Sequence, residues 1–531
     1  MSNRRKFKKY KEKKAKVPIS EKFSRFKTKK HLIKPIMLVT ILILLQIAFF
    51  IYLSTRYSRS REWMDVFWWA VTLVMIIYFV NLDKPIDYRV SWIIMVSLVP
   101  IFSIPLYIIL EIIPGAKQLQ RRLSSIRQSS NHLLNQDMQL IDKIDYDERF
   151  SKGLCRYLFT HANYPIYENT NYKYFGIGED YFESLKEDLR NAKKFIFIEY
   201  FIVRQGKMLE EILEILDDKI NEGVEVKFMY DGMNDYYLPD GFKDFLKSLG
   251  IEVRIFSTIL PILSSYHNNR DHRKIVVIDN KVAYTGGLNL SDEYINHIKR
   301  FGHWKDNGIR LEGEAVRSFT VMFLNLWSLT SRELAHYDKY VENEHKAISD
   351  VYILPYDDAP NDKENIGENV YIDILNQAKD YVYIMTPYLI LSENLRNALL
   401  FAAKRGVNVQ IMMPGIPDKK IPFLIGRSYY DNLTQSGVKI YEYVPGFLHS
   451  KCIVSDDNKS VVGTVNFDFR SLHLNYENGV LVYGQSLAND VKTDFEQTRK
   501  ACREMSNKKY REFSWIYRLF CRVLRLIAPL M

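Results

Sequence analysis

The stretch DHRKIVVIDNKVAYTGGLN, residues 271–289, has a counterpart in LHSKCIVSDDNKSVVGTVN, residues 448–466, and this pair decides how the chain is read. Both follow the pattern His-x-Lys-x4-Asp-x6-Gly. The first carries His272, Lys274, Asp279, Gly286 and Asn289, and the second His449, Lys451, Asp456, Gly463 and Asn466. At average residue usage, four fixed positions match by chance about once per 10^5 starting points. Two copies with identical spacing in 531 residues are therefore a signature.

The spacing has a physical meaning. IVVID and CIVSD read as short, mostly apolar strands bounded by polar turns. Residues i and i+2 of a strand share a face, so His272 and Lys274 emerge side by side, as do His449 and Lys451. Asp279 and Asp456 lie an odd number of residues beyond each lysine and should point elsewhere, which assigns them a structural role. Asn289 and Asn466 follow on the next segment, where an amide donor could return to the His/Lys site.

Flanking segments repeat as well. AKKFIFIEYFIV (192–203) precedes a helical stretch and then NEGVEVKFMYDGM (221–233). AKDYVYIMTPYLI (378–390) precedes another and then KRGVNVQIMMPGI (404–416). Gly223 and Gly406 sit at matching helix-to-strand junctions. Each half runs strand, helix, strand, motif strand, at an offset of roughly 180 residues, the size of a domain. Strands alternating with helices predict an α/β sandwich in each half.

These motifs resemble those of the phospholipase D superfamily, whose members join two such motifs into one active site. The resemblance runs from about residue 90 to the C-terminus and is nearest to bacterial cardiolipin synthases. It is carried by YRVSWIIMVSLVPIFSIPLYIIL (88–110), HNNRDHRKIVVID (267–279) and GTVNFDFRSLHLNYEN (463–478). FGHWKDNGIRLEGEAV (301–316) resembles the stretch after the family's first motif, with Lys305 where arginine is usual and Gly308 where histidine is usual. Those departures bear on headgroup contacts and leave the reaction class intact.

The resemblance implies an α/β fold of two phospholipase D-like α/β/α sandwich repeats forming one active site, preceded by N-terminal transmembrane helices. The expected division is a basic tail at 1–34, a transmembrane region at 35–111, a linker at 112–165, repeats at 166–345 and 346–500, and a basic amphipathic segment at 501–531. It also implies a phosphatidyltransferase that converts two phosphatidylglycerol molecules into cardiolipin and glycerol. A phospholipase D, or phosphatidyl transfer to another alcohol, stands as the alternative within the class, and a membrane-anchored nuclease or a non-catalytic scaffold outside it.

The chemistry suits these residue types. One histidine attacks phosphorus and the other protonates the leaving alkoxide, splitting one displacement into two. Lys274, Lys451, Asn289 and Asn466 are the expected donors to the phosphoryl oxygens. By resemblance, His272 is the nucleophile, His449 the acid and base, and neither metal nor cofactor is needed; the symmetric motifs do not themselves order the histidines. Each imidazole needs an orienting acceptor, and the expected ones are Glu477 in NYEN and Asp306 in WKDN.

Charge and hydropathy bound the partners. The net charge is +11, yet residues 1–34 hold fifteen Lys or Arg against Glu12 and Glu21. The basicity belongs to this tail and the rest is near neutral, so no nucleic-acid surface is indicated; anionic membrane phospholipid is the expected partner. PIMLVTILILLQIAFFIYL (35–53) carries no charge and is long enough to span. Further apolar runs lie at about 63–80 and 90–110, the last interrupted by Pro100 and Pro105. Basic flanks favour a cytoplasmic catalytic region. Cys155, Cys452, Cys502 and Cys521 are scattered and indicate neither zinc site nor disulfide framework. Near the end, Ile516, Leu519, Phe520, Val523 and Ile527 share a helical face, with Arg518, Arg522 and Arg525 on another.

Overall fold

The computed structural model describes residues 61–112, 115–145, 152–257, 268–331, 334–342, 345–360, 364–526 and 528–530, with Ala48 and Tyr52. The basic tail and almost all of the 35–53 run lie outside the described residues, as does Ile527. From residue 61 the described residues form four helices in succession: α1 (Arg61–Val80), α2 (Ile86–Leu98), α3 (Pro100–Ile112) and α4 (Gly115–Ser130). No helix among the described residues is long and apolar enough to cross a membrane. The 90–110 run, whose prolines leave a kinked crossing or a re-entrant hairpin open, is divided at Val99–Pro100, because proline cannot supply the N–H that would continue α2. Phe79 of α1, Trp92 of α2 and Tyr107 of α3 pack into a small aromatic core of their own.

The stretch 112–165, expected as a linker, is largely helical. It forms helices at Gly115–Ser130, Met138–Asp145 and Lys152–Ala162. Leu123, Ile126, Leu140, Ile141, Ile144, Leu154 and Leu158 bury their side chains in the main core. Their helical spacing gives each helix one apolar face, which must be covered.

The first sheet contains β1 (Thr170–Phe175), β2 (Phe195–Tyr200), β3 (Glu225–Asp231), β4 (Glu252–Phe256), β5 (Lys274–Ile278), β6 (Val282–Gly286) and β7 (Gly308–Gly313), in the order β1-β7-β6-β5-β2-β3-β4. The second contains β8 (Tyr352–Asp358), β9 (Tyr381–Met385), β10 (Asn408–Pro414), β11 (Lys439–Tyr443), β12 (Cys452–Ser455), β13 (Lys459–Gly463), β14 (Asn475–Tyr483) and β15 (Cys502–Glu504), ordered β8-β14-β13-β12-β9-β10-β11-β15. Apart from β15 the two orders are the same. In each half β2 or β9 pairs in parallel with the strand after its helix and antiparallel with the motif strand.

Strand β2 shows why one continuous core joins the halves. Its pattern FIFIEY is buried throughout. Ile196 and Ile198 face the helices of their own half, including α5 (Lys207–Asn221). Phe195 and Phe197 face the other way, into a core shared with Leu354, Ile384 and Val454 of the second half. Between the sheets lies α6 (Val316–Leu329), apolar on nearly all sides and buried along its length. Phe323 stacks on Phe197 at 4.6 Å.

Both motif aspartates are structural hubs. Asp279 and Asn280 adopt φ of 56° and 53°, and Asp456 and Asp457 51° and 52°. These left-handed pairs make the tight turns β5-β6 and β12-β13, a conformation Asn and Asp tolerate. The Asp279 carboxylate accepts from the backbone N–H of Lys193, Lys194 and Phe195 (2.7–2.8 Å), tying the motif turn to the start of β2. Asp456 does the same for Lys379, Asp380 and Tyr381 (2.8–3.0 Å). Gly223 and Gly406 take φ of 96° and 97° with open space around them, so the backbone alone requires glycine there. Replacing Asp279 or Asp456 by Ala removes three acceptor contacts at a partly exposed turn. It should cost about 1–3 kcal/mol in chemical denaturation, and the Asn variants, which keep one acceptor oxygen, should lose less.

Candidate active site

His272 and His449 each stand in the extended backbone just before a motif strand, and each is held by the opposite half. The short strand Arg270–Asp271 runs parallel to the start of β14, and the His272 N–H donates to Tyr476 O at 2.9 Å. Correspondingly, Gly446–Leu448 runs parallel to His303–Lys305, and the His449 N–H donates to Lys305 O at 2.7 Å. The residue after each acceptor is an acid. His272 Nδ1 therefore meets Glu477 Oε2 at 2.8 Å, and His449 Nδ1 meets Asp306 Oδ2 at 2.7 Å. The pairing is crossed: each imidazole is oriented by the carboxylate that follows the other motif. Both acids are fully buried.

The remaining sequence-derived candidates fall into three groups. Lys274 and Lys451 are buried here, and each ammonium donates to the carbonyl of its own motif histidine. Each lysine's charge acts on both imidazoles, so the two motifs converge on one site. Asn289 is occupied at both ends of its amide, accepting from Ile202 N–H (3.0 Å) and donating to Tyr294 OH (2.6 Å). Asn466 interacts with Asp468, and its carbonyl oxygen is buried without a protein partner. The two asparagines are therefore not equivalent. Asp279 and Asp456 lie at the far turns described above, away from the histidines.

Lys305 and Gly308, the departures within the 301–316 stretch, are both engaged within the protein. Lys305 ties the halves together by donating to Gly176 O and pairing with Asp494 at 2.8 Å. A Cβ at Gly308 would collide with the Tyr181 ring.

Several residues of the site carried no spacing signal. Tyr294, Trp304 and Phe447 surround the His449 ring at centroid distances of 5.3, 5.3 and 5.7 Å, whereas Phe201 lies against His272 at 5.0 Å. Thr464 Oγ1 donates to Glu477 at 2.5 Å and Asn475 Nδ2 donates to it at 3.1 Å. At the matching position of the first half stands Gly287, where a Cβ would collide with the Asp306 carboxylate. Arg273, between His272 and Lys274, points away into a buried ionic cluster. It donates to Glu199 at 2.6 Å and to Asp357 of β8 at 3.3 Å, and Asp357 also binds Arg127 of α4 at 2.8 Å. Ser450 occupies the corresponding position of the second motif.

Electrostatics separate the two pairs. Burial, both motif lysines, Lys419 and Arg470 hold His272 well below its ordinary value, as the free base. Burial and Lys451 lower His449 to about 4, with the Asp306 carboxylate pulling the other way. Burial pushes Glu477 up to about 7, while His449 and Lys451 keep Asp306 below the usual range. Desolvation lowers Lys274 to about 7 and Lys451 to about 8. An anionic phosphodiester between the lysines would favour their charged forms and that of a histidine.

Two histidines backed by carboxylates and flanked by two lysines, on duplicated α/β halves, define a double-motif phosphodiester-transfer site of the phospholipase D type. The family profile described as "Cardiolipin synthase, PLD-like domain" matches residues 185–327 and 371–499. A cardiolipin synthase of Halalkalibacterium halodurans is 36% identical over 70% of this chain and 74% of its own length. Cardiolipin synthase 1 of Staphylococcus aureus is 31% identical over 83% of this chain and 91% of its own. An uncharacterized Streptococcus mutans protein is 44% identical over 86% of this chain and 99% of its own. The crystal structure of phosphatidylserine synthase from Haemophilus influenzae superposes with a TM-score of 0.53 at 16% identity, covering 68% of this chain and 95% of that one, and shares the fold. The chain belongs to the cardiolipin synthase family of phospholipase D-like enzymes.

Gly287→Ala tests the crossed geometry. The added methyl should displace Asp306 from His449 while leaving the sheets intact. Turnover is expected to fall about 10²–10⁴-fold, the usual worth of a positioned acid–base group, with an unchanged circular dichroism spectrum.

Proposed function

We propose that this chain is a membrane phosphatidyltransferase that condenses two phosphatidylglycerol molecules into cardiolipin and glycerol. The observation that carries the reading is the crossed pairing, His272 with Glu477 and His449 with Asp306, around two buried lysines. The family relationship supplies the substrate class.

In this mechanism Nε2 of neutral His272 attacks the phosphorus of the first phosphatidylglycerol. The phosphorus–oxygen bond to the glycerol headgroup breaks, and His449 gives its proton to the departing oxygen, releasing glycerol and leaving a phosphatidyl-histidine. A hydroxyl of the second phosphatidylglycerol then gives its proton to His449 and attacks phosphorus. Cardiolipin forms and His272 is regenerated. Lys274 and Lys451 stabilise the charge that builds on the phosphoryl oxygens.

The order of the histidines has electrostatic support. Two further cations, Lys419 and Arg470, favour the free base of His272. Ionised Asp306 pulls His449 upward against burial and Lys451, which by themselves hold it low at about 4, and an anionic substrate would add to that pull toward the protonated form an acid needs. His272→Ala should therefore form no covalent adduct with labelled phosphatidylglycerol, whereas His449→Ala should form one slowly and fail to discharge it.

The pH dependence follows from the same groups. Ionised Glu477 accepts Nδ1–H of His272 and leaves Nε2 free to attack; protonated Glu477 donates to Nδ1 and places the remaining proton on Nε2. Adduct formation should rise as pH passes about 7. It should fall again as the motif lysines lose their protons, Lys274 at about 7 and Lys451 at about 8, which makes the profile a narrow bell. Lys274→Arg combined with Lys451→Arg, charged at every working pH, should move the alkaline limb upward even if it slows the reaction.

We place the enzyme at the cell membrane, with the 35–53 run as an anchor and the catalytic halves on the cytoplasmic side, on the strength of the basic flanks. Anchoring raises the local concentration of the lipid alcohol over water as acceptor. Purified protein incubated with labelled phosphatidylglycerol should yield cardiolipin and glycerol. Phosphatidic acid alone would make it a hydrolase, and a mixed ester with an added alcohol would mark a broader transferase. The near-neutral charge beyond residue 34 weighs against a nuclease.

A further inference from the structure

Beyond α7 (Glu393–Lys404), α8 (Lys420–Arg427) and α9 (Tyr430–Gln435), the chain passes from β15 through a short helix at Asn507–Arg511 into helix α10 (Trp515–Arg525). Helix α10 is docked on one side only. Cys521 is fully buried, and Tyr517 OH accepts from Arg427 of α8 at 3.2 Å. Arg522 pairs with Asp431 of α9 at 3.1 Å, and the Arg525 guanidinium lies over the Tyr429 ring at 4.4 Å. The Leu526 carbonyl accepts from Ser91 Oγ of α2 at 2.7 Å, and the α7 N-terminus is tied to α2 through Glu393 N–H and Asp87 (3.0 Å).

The opposite side of α10 is unpartnered among the described residues. Trp515, Ile516, Leu519, Phe520 and Val523 project outward, from 50% exposed at Leu519 to 67% at Trp515. These residues form a single stripe, since they recur at helical spacing. A contiguous large apolar face on a fixed helix marks an interaction surface. Its charge specifies the partner: Lys508, Lys509, Arg511, Arg518, Arg522 and Arg525 stand against Glu512 alone from residue 505 to the end. A Trp- and Leu-bearing apolar stripe with an arginine flank is the composition of a helix lying in the headgroup layer of anionic lipid.

We propose that α10 lies in the surface of an anionic phospholipid bilayer and seats the catalytic mouth there. The link is short. Helix α8, which Tyr517 and α10 rest on, begins directly after Lys419, whose ammonium lies over Tyr388 at 5.7 Å and whose charge reaches His272. Ile416 and Ile421, on either side of that lysine, are also exposed. One rigid connection, Arg427 bound to Glu442 at 2.8–3.0 Å and to Tyr517, therefore joins the lipid-facing helix to the rim beside the nucleophile. Docking sets where the rim meets the headgroups. The effect on turnover rests on the phosphatidyl-transfer reading; the seating of the helix does not.

The test uses the full chain with Cys502→Ser and a spin label at Phe520→Cys, reconstituted in nanodiscs of mixed phosphatidylglycerol and phosphatidylcholine. Collisions with lipid-soluble oxygen should exceed those with a water-soluble nickel chelate, and the excess should shrink in phosphatidylcholine alone. A label dominated by nickel lies in water, and one shielded from both reagents is covered by protein, such as a second copy; either result overturns the proposal. For the coupling, Leu519→Ser/Phe520→Ser should turn over bilayer phosphatidylglycerol at least tenfold more slowly. The same variant should stay within twofold of the unaltered chain on monomeric dihexanoyl phosphatidylglycerol. Equal losses on both substrates would make the helix a structural prop and overturn the coupling. If the unaltered chain processes neither substrate, the transferase reading fails while the depth measurement still decides the helix.

Discussion

Everything around the site depends on one constraint: an imidazole can be aimed only by a partner fixed on its other nitrogen, and here that partner always comes from the opposite half. His272 answers to Glu477 and His449 to Asp306. Neither half holds an oriented histidine by itself. The parallel pairings of Arg270–Asp271 with the start of β14 and of Gly446–Leu448 with His303–Lys305 bring each acid to within one residue of the backbone that grips the histidine. The shared apolar core beneath, with Phe197 on one side and Ile384 on the other, is what keeps those pairings in register.

The motifs and the strand order around them were legible because they depend on local rules. Period-two alternation separated His272 and Lys274 from Arg273, and the odd spacing of Asp279 pointed it away from the chemistry toward the turn where it is found. Glycine at 223 and 406 announced positive φ. The crossing was not legible, because a pseudo-two-fold relation between segments over a hundred residues apart leaves no periodicity in either. The helices at 112–165 were missed for a related reason. Leu119, Leu123 and Ile126 recur at helical spacing, but such stripes are short, and only the core they cover makes them necessary. Asn289 and Asn466 illustrate a third limit: equal spacing fixed their positions, but the neighbours Tyr294 and Asp468 set what each amide does.

Beneath the site the halves are joined by charge as well as by apolar packing. Arg273 bridges Glu199 of its own sheet and Asp357 of the second, and Arg127 of α4 completes the cluster. Buried ion networks are weak evidence for stability, since desolvation offsets most of the attraction, but removing one partner leaves an uncompensated charge. The cluster therefore acts mainly on alignment: any shift of one sheet against the other would strand Arg273 or Asp357. Among the described residues it stands on the His272 side; in the second motif Ser450 takes the place of Arg273.

That difference belongs to a larger pattern. Two identical half-sites would have two equivalent histidines, and a two-step transfer needs one that stays a free base and one that can hold a proton. The chain departs from symmetry in several places that all bear on this. A longer acid held by Thr464 and Asn475 sits behind His272, and a shorter acid packed against Gly287 sits behind His449. Thr464 and Glu477 fit each other as Gly287 and Asp306 do; exchanging one member alone would leave a collision or a gap. Cations crowd the first imidazole, and aromatic rings the second. Duplication supplied the pair of histidines, and the asymmetry between them lies in the residues that differ behind each ring.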